Sequence, residues 1–188
     1  MKTSHEASRI DAQRNRKRIL AAARAQIHAA PGEVRVDTIA REAGVAVGTL
    51  YRHFPSKRDL VTAVIEEHVE EVSRDAVCTL ERVRSGAPAG AEIRAFLDRA
   101  VTAAADNDAA KAVASRLGRD PDTVSDAEAQ AAEAMTELIR HAQAAGSMPS
   151  DITLQDIYLI VASAPTGEPE PARSRWLHLV LRGLLLER

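Results

Sequence analysis

Apolar residues recur at helical spacing along almost the whole of this chain. Ile19, Ala22, Ala23 and Ile27 form one stripe, and Leu60, Val61, Val64, Ile65, Val69 and Val72 form another. No convincing strand pattern interrupts them, so the expected fold class is all-α. Breakers divide the stripes at residues 31–32, 44, 55–56, 85–90, 118–121, 146–149 and 165–171. The division predicts about nine helices, over residues 15–29, 36–43, 47–54, 57–83, 91–106, 109–117, 123–145, 154–163 and 172–186. Ser56 followed by Asp59 reads as a capping box with Asp in place of Glu, and Asp120 or Asp122 can cap the helix expected from residue 123. The three prolines of residues 164–171 predict an exposed loop before the last helix.

The chemistry concentrates in VRVDTIAREAGVAVGTLYRHFPSKRDLV, residues 34–61. Its first helix places Ile39, Ala40 and Ala43 on one face, with the small Ala40 where a second helix must approach closely. Gly44 falls where that helix has to stop. A residue without Cβ takes positive φ there, and the chain turns within 44–46 before another helix begins. Val45 and Leu50 would fill the angle between the two helices. Val47, Gly48, Thr49, Tyr51, Arg52 and His53 are left outward, a slender set that fits a major groove. Residues 1–56 are thus expected to form a three-helix, helix-turn-helix DNA-binding domain with a short N-terminal arm, followed by a helical domain over 57–188.

Charge agrees with that division. The net charge of −2 conceals twelve Lys and Arg against six acids in residues 1–60, a balance of +6, which leaves −8 for the rest. A basic head attracts a polyanion, and an acidic remainder is repelled by it. No run of eighteen uncharged apolar residues occurs and residues 1–20 lack the apolar stretch of a secretory signal, so a cytoplasmic protein without a membrane partner is expected. Cys78 is the only cysteine and reads as a small helix residue; it permits neither an intrachain disulfide nor a multi-cysteine zinc site. There is no nucleophile motif, Gly-rich phosphate loop or HExxH. The histidines are dispersed, and His68 with Glu71, one turn apart, reads as a solvent-facing pair. No enzyme activity, catalytic residue, metal or cofactor is expected.

The stretch TIAREAGVAVGTLYRHFPSKRDL, residues 38–60, resembles the TetR family of bacterial one-component regulators. The likeness lies in a small residue, a Gly-Val turn, Thr-Leu-Tyr, a Phe hinge and a cap followed by Lys. Beyond Val72 only the helical layout and the total length correspond. The resemblance implies that Tyr51, His53 and Lys57 contact phosphates, and that Thr49, Val47 and Gly48 face base edges or adjacent backbone. A phenol and an ammonium are good donors to phosphate, and the dipole at the start of the following helix adds to Lys57. Val47 and Gly48 offer no hydrogen-bonding side chain, unlike family members with a polar residue here. Base reading then rests on thymine methyls, on Thr38 and Arg52, or on DNA shape. Arg9, Arg14, Arg16 and Arg18 are either an arm on the DNA or a solvated face.

For the remainder, the resemblance implies dimerisation through the last two helices and a ligand cavity among the middle ones. Leu154, Ile157, Tyr158 and Val161 on one helix, and Trp176, Leu177, Val180, Leu181 and Leu184 on the other, supply apolar material for pairing. Phe96, Arg99, Met135, His141 and Tyr158 are the candidate lining of a cavity between two alanine-rich stripes. The reading as a whole is a dimeric repressor that binds a palindromic double-stranded DNA operator and is released by a small-molecule effector. The alternatives are a constitutive DNA-binding module with a protein partner and, behind it, a helical enzyme.

Overall fold

A computed structural model describes residues 2–30, 33–116 and 125–186, and eight helices occur among these described residues. They are α1 (Lys2–Ala29), α2 (Val36–Glu42), α3 (Val47–His53), α4 (Lys57–Arg84), α5 (Ala89–Arg116), α6 (Asp126–Ala144), α7 (Leu154–Ala162) and α8 (Glu170–Leu184). No strand occurs among the described residues. The architecture is all-α.

Most boundaries shift by one to three residues, and three differences have a plain local reason. α1 starts at Lys2, well before the stripe that opens at Ile19, because no proline or glycine precedes residue 31 and a helix needs no apolar face to continue. The helices expected over 91–106 and 109–117 are one, α5; Asn107 and Asp108 weaken a helix only slightly and no breaker separates the segments. α8 starts at Glu170, so Pro171 lies in its first turn, where an absent amide costs no intrahelical bond. The expected breaks at 31–32 and 118–121, and Asp120 and Asp122, lie outside the described residues. The cap of α6 is Ser125, whose hydroxyl accepts from the Glu128 amide while Glu128 accepts from the Ser125 amide.

The described chain divides into two compact units. The first comprises residues 2–67 and 107–116. Its core joins Ile19, Ala23 and Ile27 of α1 to Ile39 and Ala40 of α2, Leu50 of α3 and Leu60 and Val61 of α4, with Ala110 and Val113 of α5 against them. The apolar stripe of α1 is what brings α2 and α3 onto it. The start of α2 is tied to α1, where the Arg35 amide donates to Gln26 Oε1 at 2.9 Å.

The second unit comprises residues 68–106 and 125–186. Ala76 and Leu80 of α4, Ile93 and Leu97 of α5, Leu138 and Ile139 of α6, Ile157 of α7 and Leu177 and Leu181 of α8 form its centre. Ion pairs cross its surface: Arg82 to Glu92 at 2.8 Å, Arg84 to Glu137 at 2.8 Å and Arg99 to Asp75 at 2.9 Å. Their guanidiniums are about half exposed, so water screens each pair and its net contribution is small. A buried leucine contributes about 1.5–3 kcal/mol. Packing therefore holds this unit together, and the ion pairs fix how its helices align.

Candidate nucleic-acid interface

The geometry of the first unit's turn is set by Gly44. The Gly44 amide donates to the Arg41 carbonyl at 3.1 Å and the Val45 amide to the Ala40 carbonyl at 2.9 Å, a pair of bonds that closes the end of α2. Gly44 stands at φ +62°, and a Cβ on it would run into the Arg18 guanidinium. The chain passes through Val45 and Ala46 and re-enters a helix at Val47. Leu50 and Phe54, 1% and 2% exposed, anchor the inner face of α3. That anchoring decides which residues face out.

Val47 and Tyr51 are 43% and 44% exposed, and Gly48 and Arg52 share the open face with them. A Cβ added at Gly48 would meet nothing within 4 Å, so the backbone of α3 is bare there. Thr49 and His53 are half-buried at the edges of this face, with the His53 ring tilted 43° against Phe54 at 6.2 Å, and Thr38 is half-buried on α2. Lys57 is exposed at the first position of α4. The chain is held there by the expected box. The Ser56 amide donates to Asp59 Oδ2 at 2.9 Å and the Asp59 amide to the Ser56 hydroxyl at 3.1 Å. All eight residues expected to meet DNA therefore lie in the first unit, six of them on α3, with Thr38 on α2 and Lys57 on α4. Among the described residues, Arg52 and Lys57 form no ion pair with an acid.

Residues 19–64 match the bacterial regulatory proteins of the tetR family, and residues 87–186 match a C-terminal domain described as transcriptional regulator SbtR-like. The chain belongs to the TetR family. A TetR transcription regulatory protein from Mycobacterium vanbaalenii is 31% identical over 95% of this chain and 99% of its own, with a TM-score of 0.74. A TetR transcriptional regulator from Streptomyces coelicolor is 29% identical over 92% of this chain and 99% of its own, with a TM-score of 0.71. A gamma-butyrolactone receptor, an ArpA-like protein, shares the fold at 20% identity, covering 93% of this chain and 90% of its own with a TM-score of 0.66. No curated protein matches the chain. This TetR-family protein is a transcriptional regulator, and its family and fold are those of DNA-binding proteins.

The five residues expected around a ligand have different surroundings in the second unit. Phe96 and Met135 are 5% and 3% exposed inside its core. Arg99 holds Asp75 through two bonds, Nε to Oδ2 at 2.9 Å and Nη2 to Oδ1 at 3.0 Å. His141 Nε2 lies 3.6 Å from Glu137, whose carboxyl is held below its ordinary pKa first by the Arg84 hydrogen bond. Tyr158 is 47% exposed; partial burial, and then the negative Glu128, raise its phenol pKa. An open hollow of about 370 Å³ lies instead between the start of α5 and the end of α8, lined by Gly90, Arg94, Ser147, Leu185 and Leu186 among others. None of the five lines it.

The residues assigned to pairing fall into two groups. Ile157, Leu177, Leu181 and Leu184 are buried in the unit's own core. Leu154, Val161, Trp176 and Val180 are half-buried and Tyr158 is exposed. Leu159 at 65% and Leu179 at 51% exposure are further open apolar residues on α7 and α8. Apolar content alone cannot apportion a helix between its own core and the outside. Among the described residues no helix is long and apolar enough to cross a membrane, and no group of His, Cys, Asp and Glu could hold a metal ion.

Proposed function

We propose that this TetR-family regulator is a cytoplasmic repressor that binds a palindromic operator as a homodimer and leaves it when a small molecule binds. The exposed face of α3 between two buried anchors, Leu50 and Phe54, carries the reading. It leaves Val47, Gly48, Tyr51 and Arg52 open to a groove, while Tyr51, His53 and Lys57 supply phosphate donors and Thr38 and Thr49 border the bases. We assign DNA binding to residues 1–56, and ligand binding and dimerisation to residues 57–188.

Pairing rests on α7 and α8. Tyr158, Leu159 and Leu179, with Val161, Trp176 and Val180 beside them, form an apolar surface that a second copy would cover, and a twofold pair of heads calls for a twofold operator. The effector contacts are Phe96, Arg99, Met135, His141 and Tyr158. A ligand releases DNA only to the extent that it prefers the state that binds DNA poorly. The test is the mass of the protein–operator complex by light scattering, on DNA selected from the source genome. Two chains per duplex, and loss of the complex in Val47→Asp, are expected. One chain per duplex would overturn the dimer, and an unaffected Val47→Asp would overturn the interface.

A further inference from the structure

Most of the arginines that reach across the fold do so to carboxylates. Arg24 meets Glu67, Arg82 meets Glu92, Arg84 meets Glu137 and Arg99 meets Asp75. Arg16 and Arg18 on α1 are held differently. The Arg16 guanidinium lies 4.8 Å from the centroid of the Phe54 ring, and Arg18 Nη2 donates to the Gly44 carbonyl at 3.4 Å. Neither holder carries a net charge. Both cations therefore keep their full charge while a weak contact favours one placement of each, and Asp11, the acid nearest in sequence, faces Arg14 at 3.9 Å. An ordered cation gives up less entropy when an anion arrives than a mobile one does.

Their placement is specific. Gly44 makes the turn into α3 and Phe54 closes it, so the two guanidiniums mark the two ends of the helix whose open face carries Val47, Gly48, Tyr51 and Arg52. Side chains two apart on a helix point to different sides, which lets near neighbours on α1 reach opposite ends of α3. Both arginines are exposed beyond these contacts.

We propose that Arg16 and Arg18 bind the sugar–phosphate backbone of duplex DNA flanking the groove that α3 enters, and that the Phe54 ring and the Gly44 carbonyl aim them. This rests on the DNA-binding reading above. It makes α1 part of the interface through two fixed cations, not through a mobile arm. A purely structural role, bracing α3, would affect affinity without changing how many phosphates are neutralised. Salt dependence separates the two.

The test measures the affinity of the full chain for a short mixed-sequence duplex across a range of salt. No operator is needed, because phosphate contacts are independent of sequence. Arg16→Gln and Arg18→Gln are each expected to reduce the slope of log affinity against log salt by about 0.9 per bound chain, and together by about 1.8. Arg16→Lys and Arg18→Lys are expected to keep it. Should a Gln variant fail to fold, the Met variant, which keeps an apolar stem, carries the same expectation. Unchanged slopes in the charge-removing variants beside a normal wild-type slope would overturn this assignment alone. A wild-type chain with no salt-dependent affinity would overturn the DNA-binding reading itself.

Discussion

Gly44 stands at φ +62°, a conformation strained for residues with a Cβ, and the tip of the flexible Arg18 side chain would have to move aside for one. Gly44→Ala should cost about 1–2 kcal/mol from the backbone conformation and appear as a lower urea midpoint. An unaltered midpoint would contradict this geometry. Lys57→Ala should leave the midpoint unchanged but weaken binding to every duplex, lowering the salt slope by about 0.9 per chain. An unchanged slope would remove Lys57 from the phosphate contacts. At the start of α7, Asp156 is held below the ordinary aspartate range, first by the Thr153 hydroxyl and then by the Thr153 amide. Since the folded value is the lower one, this contribution is complete above the unfolded pKa of about 3.9 and is lost as pH falls through the folded value. The urea midpoints of wild type and Thr153→Ala should accordingly differ at neutral pH and converge in acid; a constant gap would contradict the coupling.

Helices were legible where an apolar stripe and a breaker coincided. The turn from α2 to α3 was readable because Gly44, Val45 and Leu50 each have one plausible place, and the Ser56–Asp59 box because its spacing is fixed by one helical turn. The apolar stripes cover only the later part of α1 and divide α5 in two, because a stripe reports packing, whereas a helix persists wherever nothing stops it. The apolar surface of α8 was visible in the sequence but its division was not. Leu177, Leu181 and Leu184 turn inward and Leu179 outward, a distinction set by where α4 to α7 pack. At this scale Leu50→Ala should destabilise the first unit by about 2–5 kcal/mol and free α3 to tilt. A thermal melt that leaves stability within about 0.5 kcal/mol of wild type would show that Leu50 is no anchor.

For the molecule as a whole, the TetR-family head was legible because DNA demands a particular shape from a short stretch of chain. The C-terminal unit was legible only as helices, because helix packing can be met by many apolar sequences and demands no fixed residues. Pairing can still be tested: Leu159→Asp with Leu179→Asp puts charges on the outward face while leaving the buried leucines intact, and should yield monomers by light scattering. A stable dimer would place the interface elsewhere. The central claim, that two copies present α3 to DNA, is tested most directly by footprinting the chain on fragments selected from its own genome. The expected result is a palindromic pair of protected half-sites, lost together in Tyr51→Ala. A single unsymmetrical footprint, or protection that survives Tyr51→Ala, would contradict it.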